Sequence, residues 1–356
     1  GNANSVGGLA VGVPGTVAGM ELALTKYGSG NLTRAQIIQP AIDLANTGYV
    51  VSPTMNGAIG DCYEYMVGDY PELGAYYLKD GLPYEVGDTV TNPDLAKTLE
   101  KIAQDGPDAF YKGEMAEATV AAIAKHGGLM TTEDLANYQA KEREPIVGTY
   151  RDYTIISSPP ASSGGTHIVE ALNVLENYDI ASMEVNSADY LHLFSETFKA
   201  CFADRSAYMA DTDFAEVPLK GLTSKDYAKT ISDKFDPAAA QSWEKGNPAG
   251  YEGNSTTSYS IADKEGNVVT VTQTIECFYG SKIAVEGYGF ILNDQMHDFS
   301  TSLESVNKLE PGKRPLSSMS PTVVLDPEGN AFMSVGSPGG LRIWPTVTQV
   351  ISHVID

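Results

Sequence analysis

A layered, mixed α/β fold is predicted by three observations along the 356 residues. Apolar residues in the first half recur at helical spacing between strong stop signals. Near Ser255 the pattern changes to alternation with period two. Helices followed by strands in this way suit layers of helix packed on sheet.

The helical elements come first. After the loop Gly12-Val13-Pro14-Gly15, Thr16 is placed to cap a helix that carries Val17, Met20, Leu22 and Leu24 and stops at Gly28. Residues 33–45 bring Ile37, Ile38, Ala41, Ile42 and Leu44 onto helical spacing. Segments 92–104 and 114–125 read the same way, with Gly127-Gly128 as a stop. From Ser187, an expected N-cap, Tyr190, Leu191, Phe194, Phe198, Cys201 and Phe202 form one apolar stripe, which puts Cys201 in the core. Past Ser255, two paired strands are expected within 256–274, either side of a loop at 264–266, then strands at 288–292, 322–325 and 331–335.

Bulk properties exclude several function classes. The 46 acidic residues outnumber the 23 basic ones, for a formal charge of −23. Such a surface repels nucleic acid and anionic membranes, and no run of Lys or Arg offers a local exception. No stretch of about 18 apolar residues is present, so no membrane span is expected. Cys62, Cys201 and Cys277 are odd in number and widely spaced, which argues against a disulfide framework or a structural zinc. Residues 1–5 lack the basic head and apolar run of a signal peptide.

The hairpin is the most informative segment. Lys264-Glu265-Gly266 suits a three-residue loop with Gly266 in the left-handed position. Residues equidistant from Glu265 then face each other: Asp263 with Asn267, Ala262 with Val268, Thr256 with Thr274. Alternation places Thr256, Ser258, Ser260, Thr270, Thr272 and Thr274 on one polar face. Tyr259, Ile261, Val269 and Val271 line the other, expected to be the core side. A row of hydroxyls is what a hydroxyl-based active site would need. The same row also suits the solvated face of an edge hairpin.

Other chemistry is poorly supported. The five histidines show no HExxH and no metal-ligand spacing, so each reads as structural or surface, and no metal or cofactor is expected. Gly336-Ser337-Pro338-Gly339-Gly340 is not a nucleophile elbow, because Pro338 and Gly339 follow the serine. No phosphate-binding loop is present.

Thr256 to Asn267 resembles the start of the small subunit of γ-glutamyltransferases, members of the N-terminal-nucleophile hydrolase superfamily. Leu9–Gly19, Phe110–Gly113, Pro159–Gly165, Ala203–Ser206, Asn293–Phe299, Lys313–Pro321 and Gly336–Gly340 resemble further signatures of that family, in the family order over nearly the whole chain. The resemblance implies a four-layer αββα sandwich and a precursor that cuts itself between Ser255 and Thr256. Residues 1–255 then form the large-subunit portion and 256–356 the small-subunit portion, together one domain. It implies Thr256 as nucleophile, Thr274 as the threonine that orients it, and Gly339 and Gly340 as the oxyanion hole. Gln295 and Asp298 resemble residues that bind the α-ammonium of a γ-glutamyl group, and Ser317 and Ser318 those that take its α-carboxylate. Glu276 follows Thr274 by two residues, shares its face on that count, and could add a second carboxylate. Cys277 points the other way and reads as packed.

The implied partners are a glutathione-like γ-glutamyl substrate and the two subunits of one precursor, in the periplasm or outside the cell. A glutaryl-type acylase, a poly-γ-glutamate-processing enzyme and a non-catalytic remnant are the alternatives. The chain starts inside the family pattern and stops before its end, so a fragment or one piece of an assembly is expected. The family arginine that clamps the α-carboxylate falls in the part not covered. The sequence marks none of Arg34, Arg143, Arg151 or Arg342 as its replacement.

Overall fold

Capping chemistry sets the helices of the amino-terminal part in the computed structural model, which describes residues 3–244 and 256–356. Helix α1 (Thr16–Tyr27) starts after Gly15, one residue before the expected cap. Helix α2 (Arg34–Thr47) opens on a reciprocal box, in which Thr33 accepts from the Gln36 amide and Gln36 caps the Thr33 amide. Asn92 caps α3 (Pro93–Asp105), accepting from Leu95 N at 2.9 Å. Helix α4 (Gly113–Lys125) ends where the Gly127-Gly128 pair predicts.

Packing divides the chain into two units, one of Gly1–Glu142 with Ile275–His297 and one of Arg143–Thr274 with Asp298–Asp356. Each unit takes residues from both sides of residue 256. In the first unit, Val11, Ile59, Met66, Leu73 and Ile123 bury against Ile283, Val285 and Leu292. Asn293 ties the two segments together: its Oδ1 accepts from Gly12 N, and its Nδ2 donates to Gly12 O, both at 2.9 Å. The strand expected at 288–292 does not form. Gly287 and Gly289 turn the backbone at φ 78° and 72°, and Ile291 makes an isolated bridge to Ala284.

The second unit contains two strands that a helical reading of the first half omits, β1 (Ile146–Tyr150) and β2 (Tyr153–Ser157). Their turn carries Arg151-Asp152 instead of the usual Asn-Gly, which hides the hairpin in the sequence. Arg151 sits at φ 52°, held by its amide on Glu176 Oε1 and its guanidinium on the carbonyls of Glu176 and Tyr178. Helices α5 (Gly164–Leu175) and α6 (Ala188–Tyr208) follow, the latter capped by Ser187 as expected. The predicted hairpin forms as β3 (Thr256–Ala262) and β4 (Val268–Thr274). Strands β5 (Thr322–Leu325) and β6 (Ala331–Val335) and helix α7 (Ile343–Ile355) complete the unit.

Strands β6-β5-β2-β1 form an antiparallel sheet in that order, and β3-β4 form a separate two-stranded one. One face of the larger sheet buries Ile146, Tyr150, Ile155 and Val324 against Ile168, Leu172, Cys201, Trp344 and Val347 of the helices. Its other face meets the β3-β4 hairpin, where Ser334 Oγ donates to Ser260 Oγ at 2.8 Å. One helical layer and two β layers of an αββα arrangement are therefore present within this unit.

Tyr259, Ile261 and Val269 were expected on the core side, but they are exposed in the described residues. The hydroxyl face is the one turned toward the larger sheet. The physical reason is that each hydroxyl on it finds a hydroxyl or carbonyl partner, so polarity does not keep that face in water.

Beneath the sheet, α5 and α6 bury a polar group. His167 Nδ1 lies 2.5 Å from Glu170 Oε2, and both side chains are fully buried. Glu170 also hydrogen-bonds Asp204, which accepts from Tyr227 Oη at 2.7 Å. Burial pushes the Glu170 and Asp204 carboxyls up to about 7 and the His167 imidazole down to about 3. The carboxyls bind protons more tightly folded than unfolded. Their stabilisation is complete below about pH 4 and is lost as pH rises through about 7. Glu170→Gln, which cannot ionise, should therefore gain stability relative to the parent protein as pH rises across this window. Urea unfolding midpoints at a series of pH values measure it, and a difference that stays constant would refute the buried-pair account.

Candidate active site

The hairpin register determines which hydroxyls meet. Thr256 faces Thr274, Ser258 faces Thr272 and Ser260 faces Thr270, the pairing that a loop centred on Glu265 predicts. Gly266 supplies the left-handed residue at φ 87°. Asp263 locks the loop by accepting from the amides of Glu265 and Asn267. Thr256 Oγ1 then donates to Thr274 Oγ1 at 3.2 Å, with both side chains partly buried. Ser258 and Thr272 repeat the contact at 3.1 Å.

Strand β6 approaches this row through small residues. A Cβ on Gly336 would come within 2.0 Å of Ser258 Oγ, so any other residue there would have to displace that hydroxyl. Three residues on, Gly339 and Gly340 take φ 123° and 56°, successive left-handed conformations that a side chain disfavours. Gly340 opens a turn of 3₁₀ helix that leads into α7.

Ser317 and Ser318 are placed by two interlocked loops. Ser317 N donates to Ala161 O at 3.0 Å, and Ser163 N donates to Ser317 O at 2.9 Å. Arg205, on α6, reaches both loops: its Nε donates to Ser163 Oγ at 2.9 Å and its Nη2 to Ser318 Oγ at 3.1 Å. Sequence reasoning did not single out Arg205, although it lies in the quoted segment Ala203–Ser206. Of the arginines it weighed, Arg34 pairs with Glu21, Arg143 with Asp211 and Asp213, and Arg151 with Asp356. Asp298 belongs to the same unit, and its carbonyl accepts from Asn307 Nδ2 at 2.7 Å.

Thr256, Thr274, Asp298, Ser317, Ser318, Gly339 and Gly340 thus all belong to the second unit, whereas Glu276 and Gln295 belong to the first. Strand β4 ends at Thr274, and Glu276 takes φ 76°, so strand alternation does not carry over to Glu276 as expected. Ser255 lies outside the described residues. Cys277 is half-buried, and burial together with Asp294 pushes its thiol up to about 12. Glu276, Cys277 and His297 also come together, which no spacing in the sequence signalled. One ligand atom from each lies within 4.8 Å of the others.

A helical layer on a sheet, with a second sheet ending in a threonine pair, defines a fold of the N-terminal-nucleophile hydrolase type. The chain belongs to the gamma-glutamyltranspeptidase family, whose model matches residues 1–356. It is 44% identical over 361 residues to the glutathione hydrolase proenzyme of Escherichia coli K12, covering 98% of this chain and 62% of that protein. It is 41% identical over 353 residues to the acylase ACY 1 proenzyme of Pseudomonas sp. SE83, covering 99% and 62%. Among solved structures, a cephalosporin acylase from Bacillus halodurans superposes with a TM-score of 0.89 at 28% identity, over 99% of this chain and 64% of that one. The Helicobacter pylori gamma-glutamyltranspeptidase superposes at 0.65 with 42% identity, over 67% and 68%. The chain spans 62% of the length of these two curated relatives.

Gly336→Ala should be destabilising by about 1–3 kcal/mol, because the added methyl overlaps Ser258 Oγ. Ser258→Ala in the same chain should restore a large part of that loss by removing the oxygen it strikes. Thermal unfolding of both single variants and the double variant measures the coupling. Additive losses would mean that β6 and the hairpin do not pack as described.

Proposed function

We propose that Thr256 is the nucleophile of a γ-glutamyl transfer reaction, freed by autocleavage of the Ser255–Thr256 bond. The observation that carries this reading is the Thr256–Thr274 hydroxyl contact at 3.2 Å, in a chain of this family. Residues 1–255 and 256–356 are on this reading portions of the two subunits of one precursor.

Two acyl transfers on the same oxygen account for the chemistry. In the first, Thr256 Oγ1 attacks the Ser255 carbonyl carbon, and the peptide nitrogen leaves as the α-amine of Thr256. Water then hydrolyses the resulting ester. The freed amine has an ordinary pKa of roughly 7.7–8.0, so at neutral pH it can take the proton of its own residue's hydroxyl. In the second transfer, Oγ1 attacks the γ-carbonyl of a glutathione-like donor. The donor's amine leaves protonated and a γ-glutamyl ester remains on Thr256. Water or the amine of an amino acid then releases the γ-glutamyl group.

The groups around the nucleophile have separate tasks. Backbone N–H groups at Gly339-Gly340 suit the developing oxyanion, a contribution often worth about 3–4 kcal/mol per donor. Ser317 and Ser318 take the α-carboxylate, and Arg205 fixes Ser318 for it. Asp298 takes the α-ammonium, with Glu276 and Gln295 assigned to the same group by resemblance alone. A second reading, an acylase acting on side chains without the amine, is favoured by the acylase relatives. A periplasmic or extracellular location accords with the resemblance. Among the described residues no helix is long and apolar enough to cross a membrane. Recovery of the protein with cytosolic markers on cell fractionation would count against export.

Thr256→Ala should abolish both self-cleavage and turnover, read by intact mass and by release from a chromogenic γ-glutamyl anilide. Efficient cleavage of that variant between residues 255 and 256 would sink the mechanism. Thr274→Ala should fold but slow both steps, since it removes a hydrogen bond and not the nucleophile.

Asp298→Ala separates the two readings. It should raise KM strongly for the γ-glutamyl anilide and change it little for the glutaryl counterpart, which has no ammonium to pair. Equal losses on the two substrates would assign Asp298 to the fold and favour the acylase reading.

A further inference from the structure

We propose that Glu276, Cys277 and His297 form a binding site for a zinc-class divalent cation. The site rests on residues of the first unit; it is independent of the role given to Thr256, and an ion there would compete with the α-ammonium for Glu276. A carboxylate, a thiol and an imidazole are the ligand types that zinc and its neighbours take from proteins. Residues 276 and 277 are adjacent in sequence, and His297 is brought to them by the short helical turn Gln295–Asp298. His297 Nδ1 lies 3.8 Å from Glu276 Oε1, and the ligand atoms of all three residues lie within 4.8 Å of one another. A tetrahedral ion holds its ligand atoms roughly 3.2–3.7 Å apart, so small side-chain rotations close the site.

A buried carboxylate supports the site from behind. Asp294 is fully buried; its Oδ1 accepts from Cys277 N at 2.9 Å. Its Oδ2 is also buried, has no nitrogen or oxygen partner, and the carboxylate reaches the Cys277 thiol. Such a group orients a thiol ligand and offsets the charge of an ion bound to it. The nearby cation, Lys282, is engaged elsewhere, donating to the carbonyls of Phe278 at 2.7 Å and Gly280 at 2.8 Å. The side chains of His297 and Glu276 keep 17% and 11% of their exposure, so an ion can enter from solvent. On binding, the thiol proton passes to solvent and the cation takes its place. Three protein ligands leave a fourth position for water.

The test uses the purified protein, stripped with a chelator and titrated with Co²⁺ without oxygen. The site predicts a thiolate-to-cobalt charge-transfer band with the strong visible absorption of a tetrahedral ion, both displaced by Zn²⁺. Cys277→Ser should lose the charge-transfer band. His297→Asn should weaken Co²⁺ binding by at least the roughly tenfold that loss of even a supporting partner costs. Either variant decides if the other fails to fold, and Thr256→Ala should bind cobalt as the parent does. No thiolate band in the parent, a band that persists in a folded Cys277→Ser variant, or an unchanged Co²⁺ affinity in a folded His297→Asn variant would overturn the proposal.

Discussion

A row of hydroxyls has to be packed between two sheets without leaving any of them unsatisfied. A fully buried hydroxyl with no partner costs about 1–3 kcal/mol; these are half-buried, with Ser260 exposed, so an unpaired row would cost less than that and still work against the stacking of the layers. The hairpin register solves this by placing hydroxyl opposite hydroxyl: Thr256 with Thr274, Ser258 with Thr272, Ser260 with Thr270. Strand β6 completes the arrangement with Ser334 on Ser260 and an open backbone at Gly336. Its alternate residues, Met333 and Val335, pack with the helix-side core. One strand therefore serves an oily layer on one face and a polar layer on the other, as the two-residue period allows.

The same economy of volume governs the serine loops. Ser163 N donates to Ser317 O, and Ser317 N to Ala161 O, across loops far apart in sequence. A Cβ on Gly164 would come within 2.6 Å of the Ser320 side chain, and one on Gly165 within 2.2 Å of Ser158 O. Close approach of two backbones is what these glycines permit. It leaves Ser318 where a side chain from the helical layer, Arg205, can reach it. The helix that supplies Arg205 also supplies Asp204 and Cys201 to the buried polar group. Its sequence is constrained on the core side by packing and at its end by these contacts.

The sequence conveyed these features unequally, for physical reasons. The helix limits around α2, α3 and α6 were legible because Thr33, Asn92 and Ser187 cap them through side chains. The hairpin register was legible because a three-residue loop with Gly266 admits one pairing. Strands β1 and β2 were not, since the turn relies on Arg151 held at φ 52° by distant carbonyls. Which hairpin face turns inward was also misread, because hydrophobicity is a poor guide where polar groups pair with one another. The shared face of Glu276 and Thr274 was inferred by extending a strand that ends at Thr274. Arg205 and the group of Glu276, Cys277 and His297 depend on tertiary contacts that no local spacing encodes.

Relatives of two differently named kinds raise the question of where specificity would reside. Proteins named glutathione hydrolase and acylase match the chain at 44% and 41% identity over nearly its whole length. On the proposed mechanism a threonine hydroxyl, an amine base and a pair of glycines act on the carbonyl and are indifferent to what lies beyond it. The distinction between a γ-glutamyl and a glutaryl group is one ammonium, several bonds from the reacting carbon. A site built to pair that ammonium leaves a carboxylate unpaired when the ammonium is missing. Discrimination by an unpaired polar group of this sort is far stronger than a difference in apolar fit can supply. Two enzymes of this family can therefore share the nucleophile, the hairpin and the sheet. Their substrates diverge through the few charged side chains that meet the far end of the acyl group.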